Sequence, residues 1–304
     1  MRLSSATYRR ICIAACWSLA GIIVTGAGVR LTGSGLGCSD WPTCENNKLI
    51  APLEFHAMIE FINRTITGVV SIAVMLAVLG SLLVRPRRRD LVVWSGALVV
   101  GVIAQILIGA LVVTTKLTYS VVALHFLVSM VLVWAAIVLV DRAGRPTPPP
   151  RGVPLPNWAR LMLAAAIAVL CTGAVVTSTG PHAGDADVER LPLDLGWTAR
   201  LHSGAVWILV ATIVWVTWRF RHTASPTMRR RTTDLLAASV LQGGLGYLQY
   251  FSGVPAIMVG AHVAGATLVW ILVVRLALCA RAEAAEATEV PDESADALLT
   301  DVGS

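Results

Sequence analysis

Charge is what this sequence has least of. Only 14% of its 304 residues are charged against 56% hydrophobic, and mean hydropathy is +0.73. A soluble globule of this length needs far more charge to cover its surface, so that class is excluded. Acids are scarcer still away from the C-terminus, because seven of the 18 lie in residues 281–304, beside a single arginine. A small-residue cleavage site behind the first apolar run is also missing, which keeps that run as a helix instead of a removed signal. The formal charge of +6 gathers in the loops, where it reads as a topology signal and a contact for anionic lipid. Nothing in it points to nucleic acid.

What is present is a series of apolar runs near 11–29, 58–84, 91–113, 121–140, 158–178, 198–218, 234–251 and 255–278. Each is about the 20 residues that cross a bilayer as a helix. The expectation is an all-α membrane protein with eight transmembrane helices. Arg9, Arg10, the stretch RPRRR from Arg85, Arg142, Arg145, Arg219 and Arg229–Arg231 all fall in alternate connections. The positive-inside rule makes that side the cytoplasm and puts both termini there. The Pro-rich stretch TPPPRGVPLP separates the fourth run from the fifth. The division that follows is an N-terminal four-helix half over 1–141, a linker over 142–157, a C-terminal four-helix half over 158–280 and a disordered acidic tail over 281–304.

The halves repeat. Gln105 to Trp134 and Gln242 to Trp270 are near-copies, with Gln to His at 20 positions in both and Gly to His at 16 in both (Gly109 to His125, Gly246 to His262). His202 joins His125 and His262 at a common depth, near the outer ends of even-numbered helices that run inward. Imidazole is costly in lipid and turns toward the bundle interior and a partner, and facing helices with one histidine each can hold a haem axially. Imidazole also suits copper or zinc, but neither thiolate nor carboxylate shares that depth on helices six and eight, which favours haem. In the first half the position that matches His202 is Asn63, a poor axial ligand. Two bis-histidine haems are therefore disfavoured, and one coordination position is weak or open.

His56, Glu60 and Asn63 share a helix face at i, i+4 and i+7. Glu60 is the acid inside a span near the sites, either paired with Arg64 one turn on or chemically active, and the rarity of intramembrane acids favours activity. Arg64, Arg30, Arg200 and Lys116 are candidates for haem propionates against a plainer role as interfacial anchors. Cys38 and Cys44, five residues apart in the first outer loop, are expected to form a disulfide in an oxidising compartment. A zinc site is the rival, but a lone pair of thiols does not fill a tetrahedron. His182 and His222 are read as solvated.

Together, GAGVRLTGSGLGCSDWPTC, IEFINRTITG, TSTGPHAGD and the duplicated histidine-bearing halves resemble the haem A synthase family of bacterial and mitochondrial inner membranes. The likeness runs from about residue 12 to 278. It implies a bacterial plasma-membrane enzyme that oxidises the C8 methyl of haem O to a formyl group for terminal oxidase assembly. It also implies a haem b between His202 and His262, and a substrate haem in the N-terminal half near His125, Asn63, Arg64 and His56, with Glu60 as the catalytic acid. Haem O synthase, oxidase assembly partners and an electron donor are the partners it implies. The family motif Glu-x-x-His-Arg is met at Glu60 and Arg64 but carries Asn63 where the histidine stands. The rivals are a quinone-linked membrane cytochrome b, which needs two tightly held haems, and a transporter, which needs broken helices and midplane polar groups.

Overall fold

The computed structural model describes residues 3–45, 47–148 and 152–289. Among them are eight helices: α1 Ser5–Leu31, α2 Phe55–Leu83, α3 Arg89–Thr114, α4 Tyr119–Ala143, α5 Asn157–Thr179, α6 Leu195–Arg219, α7 Pro226–Phe251 and α8 Ala256–Glu289. The starts are signalled locally. Ser4, Asp194 and Ser225 cap α1, α6 and α7 by accepting the amides of Thr7, Trp197 and Met228, and Pro226 fills a first-turn position where no amide is needed.

Seven of the eight helices are long and apolar enough to cross a membrane, so the chain is a multi-pass membrane protein. The eight expected spans are met in seven cases by length and composition. Helix α7 falls short in apolarity because Arg229, Arg230, Arg231 and Asp234 occupy its first turns and Gln242, Gly243 and Gly244 its middle.

Helices α1, α4 and α8 form the centre. Helix α1 packs on α2, α4 and α8, while α4 and α8 each also touch α5 and one another. Backbone polar groups inside helices are satisfied along each helix, leaving side chains to hold helices together. One such bond lies deep in the core, where buried Trp270 Nε1 donates to the carbonyl of Met130 at 2.9 Å.

The outer connections, those at the end of the bundle away from the N-terminus, interlock. Gly35 N donates to Gly184 O at 2.9 Å, and the buried Leu117 side chain fills the space where a Cβ on Gly35 or Gly184 would come within 2.8 or 3.1 Å of it. Gly184 has φ +105°, a conformation that suits glycine. The turns before α4 and α8 share one design. Lys116–Leu117 and Gly253–Val254 both adopt positive φ, and the amides of Leu117 and Val254 return to Val112 O and Gln249 O at 2.8 Å in each case.

The expectation of a disordered tail over 281–304 is corrected at its start: α8 continues to Glu289. The sequence RAEAAEATE is rich in strong helix formers. Arg281 Nε donates to Val153 O at 3.1 Å and Glu283 accepts from Ser225 Oγ, which fastens this extension to the linker and to the start of α7. The remainder of the expected tail, 290–304, lies outside the described residues.

Candidate functional site

Histidines 202 and 262 face each other across the interior of α5–α8. Their ring centroids are 6.4 Å apart, with ring planes at 74°. Each ring lies against a glycine of the preceding helix. A Cβ on Gly173 would sit 3.1 Å from His202 Cε1, and one on Gly246 would sit 3.0 Å from His262 Cε1. Thr172 Oγ1 meets His202 Nδ1 at 3.1 Å, and Gln242 Nε2 donates to the His262 carbonyl at 2.8 Å. His262 Nδ1 is buried without a hydrogen-bond partner, so its other ring nitrogen is the one left on the accessible side.

This pair fits a haem. Two metal–nitrogen bonds of about 2.0 Å, plus about 1.1 Å from each nitrogen to its ring centre, span about 6.2 Å. Among the described residues no group of three or more His, Cys, Asp or Glu side chains comes together. A haem would ask only the two imidazoles of the protein.

In the first half, His125 repeats half of that arrangement. A Cβ on Gly109 would lie 3.5 Å from His125 Cε1, Gln105 Nε2 donates to the His125 carbonyl at 3.0 Å and to Ser129 Oγ at 2.6 Å, and His125 Nδ1 is buried without a partner. Asn63 is held elsewhere, its Oδ1 accepting from Thr25 Oγ1 of α1 at 2.8 Å. His56 is exposed at the outer end of α2, where its Nδ1 meets Ser34 Oγ at 2.9 Å.

Glu60 is buried, and both of its oxygens are engaged. Oε2 accepts from Cys38 N at 2.8 Å, and Oε1 accepts from Arg64 Nε and Nη2 at 3.1 and 2.5 Å. Arg64 Nη1 continues to the carbonyls of Asp40 and Thr43 at 3.0 and 2.9 Å. The two side chains clasp the first outer loop onto α2. Within that loop Cys38 and Cys44 are joined as a disulfide, as expected, and both are buried. A Cβ on Gly37 would lie 2.3 Å from the His56 carbonyl oxygen, so only glycine lets the loop approach this closely.

The reading of His182 as solvated is corrected. Its Nε2 meets Val254 O at 2.8 Å and its carbonyl accepts from Arg30 Nε, while Arg30 Nη2 donates to Thr177 O at 3.0 Å. Arg30 is thereby committed to backbone carbonyls of the outer connections. Arg200 Nε turns back to Gly196 O at 3.1 Å and Lys116 is exposed. Sequence reasoning missed Arg190, which lines an open cleft of about 810 Å³ between the outer ends of α5–α8. Its signal was a lone arginine in an outer connection where basic residues are otherwise few.

The model of a cytochrome oxidase assembly protein family, COX15-CtaA, matches residues 9–55 and 47–184. Relatives named haem A synthase align with parts of the chain. That of Exiguobacterium sibiricum is 29% identical over 129 residues, 41% of this chain and 43% of its own. That of Geobacillus kaustophilus is 35% identical over 106 residues, 34% of this chain and 32% of its own. The chain thus spans less than half the length of these two. A longer alignment, 25% identical over 259 residues, covers 79% of this chain and 83% of the protein from Halalkalibacterium halodurans.

Proposed function

Since the chain belongs to the cytochrome oxidase assembly protein family, we propose that it is a haem A synthase that oxidises the C8 methyl of haem O to a formyl group for terminal oxidase assembly. In this reading residues 1–141 and 158–280 are duplicated four-helix halves joined by 142–157, α7 spans with the other seven helices, and the termini are cytoplasmic. The C-terminal half holds haem b between His202 and His262. The N-terminal half receives haem O. Haem O synthase, oxidase assembly partners and a membrane electron donor serve it.

The observation that carries the reading is the contrast between halves. One has two imidazoles 6.4 Å apart, each backed by glycine, whereas the other has His125 and, at the corresponding position, an Asn63 tied to Thr25. A fixed cofactor needs two firm ligands. A substrate that enters and leaves needs fewer.

Haem b supplies one-electron redox chemistry when bound. The overall change replaces two hydrogens of the methyl by one oxygen, a four-electron oxidation by way of an alcohol and a gem-diol that loses water, with an activated oxidant consumed at each hydroxylation. Thr172 orients His202 through Nδ1, and Gln105 and Gln242 fix the backbone at His125 and His262. His125 offers its accessible nitrogen to the substrate iron, and His56 and Arg64 wall the outer end. Glu60 is the carboxylate assigned to proton movement, and its bonds to Arg64 and Cys38 N hold it at the outer end of α2.

The test is the haem content of membranes from cells that supply haem O, with and without this protein. Haem A or its alcohol intermediate is expected only with it. Two equivalents of haem b and no modified haem would make the protein an electron-carrying cytochrome b instead.

A further inference from the structure

The outer cleft continues the histidine cradle helix by helix. On α6, Leu195 lines the cleft seven residues before His202, and Gly180, the residue that ends α5, lines it seven residues beyond Gly173. Seven residues are two turns, so each lies on the same helix face as its cradle residue and about 10 Å further out. On α7, Tyr250 lines the cleft one turn beyond Gly246, and Val254 lines it just ahead of α8. A planar group held between the two histidines and standing along the bundle would extend its edge toward this cleft.

The cation at that edge is Arg190. It donates through Nη1 to Gly180 O, and no carboxylate among the described residues pairs with it. Arg30 donates to the carbonyls of Thr177 and His182 in the same stretch, which brings a second guanidinium to this connection. The same connection carries Asp185, Asp187, Glu189 and Asp194, but none of them is ion-paired with either guanidinium among the described residues, and Arg190 is engaged by one backbone carbonyl, so its remaining N–H groups suit an incoming anion. A porphyrin presents carboxylates along one edge only, and a guanidinium is the side chain suited to bind them in bidentate fashion.

We infer that Arg190 is the seat for the carboxylate edge of the porphyrin held by His202 and His262. This rests on the proposed haem site. Arg190 acts as a positioning residue: it fixes which edge of the ring points outward, and its charge favours the ferrous over the ferric iron, which carries one more positive charge.

The experiment is redox titration of the purified protein's haem in wild type, Arg190→Gln and Arg190→Lys, each also reconstituted with the haem dimethyl ester, whose carboxylates are masked. Arg190→Gln is expected to keep the bis-histidine spectrum, to release haem at least tenfold faster on dilution and to lower the midpoint potential. A tenfold change in the ferric-to-ferrous affinity ratio corresponds to about 59 mV for one electron. Arg190→Lys should recover the potential, which follows the charge, but only part of the retention, which needs the bidentate fork, and the ester should abolish the faster release caused by Arg190→Gln. Equal release from wild type and Arg190→Gln, or an undiminished difference with the ester, overturns the inference. His202→Ala and His262→Ala separate it from its premise: if either keeps the spectrum the haem site itself is wrong, and if both lose it while Arg190→Gln is silent, only the role of Arg190 fails.

Discussion

Glu60 shows how far a single residue can be read. Its presence inside a span marked it as unusual, and its i, i+4 relation to Arg64 offered a pairing, but the bond from Cys38 N depends on a loop approach that only Gly37 permits. That contact is non-local, so no spacing in the sequence announces it. Removing one partner of a buried ion pair costs about 3 kcal/mol or more. Glu60→Ala should therefore loosen the first outer loop and speed tryptic cleavage after the exposed Lys48, besides blocking conversion of haem O. Glu60→Gln separates the two effects, since its amide oxygen can still accept from Cys38 N. If Glu60 moves protons, the glutamine variant has a protected loop and makes no product; normal product with a protected loop would show that the clasp is its whole task. Asn63→His offers a gain in place of a loss. In the proposed substrate site a second histidine should add a low-spin haem signal and slow turnover, because the iron would then be gripped on both faces; an unchanged spectrum would mean that positions 63 and 125 do not share a site.

At the scale of helices, the cradle was half legible. The matched intervals from glycine to histidine in Gln105–Trp134 and Gln242–Trp270 were plain in the sequence, whereas the contact of Gly173 with His202 was not, because α5 and α6 are separated by a longer connection and no second copy flags it. Valine at Gly173 or Gly246 would intrude on a ring that already sits 3.1 or 3.0 Å from a bare Cβ. Each variant is expected to reach the membrane in normal amount with at least tenfold less bound haem, measured as pigment per chain. Full pigment in Gly246→Val would mean that the rings do not need these glycines. The extension of α8 was misread for a different reason: its low apolar content argued for disorder, but local helix propensity and two anchoring bonds at Arg281 and Glu283 outweighed it.

For the whole molecule, composition alone established a helical membrane protein, because a chain this apolar has few other states. How the helices gather about α1, α4 and α8 was not legible, since lipid-facing and core-facing surfaces are equally apolar and polar bonds decide between them. Two such bonds join early and late helices, Trp270 to the Met130 carbonyl and Arg30 to the connection at His182. A chain cut between Arg145 and Val153 and produced as two pieces is expected to copurify as one complex. Trp270→Phe combined with Arg30→Gln should weaken recovery of the partner piece several-fold in detergent, while either change alone costs less.

The wedge of Leu117 between Gly35 and Gly184 has a consequence for where the chain can change length. Three outer connections meet at that one side chain, so lengthening any of them prises apart the other two, and an epitope inserted at residues 34–36, 116–118 or 183–185 should lower the amount of protein that survives in the membrane. At the opposite end of the bundle no such meeting point lies between α6 and α7 among the described residues, and a tag placed at Thr223 should be carried without loss. An insertion scan of this molecule would thus come out lopsided, permissive on one side of the bilayer and intolerant on the other.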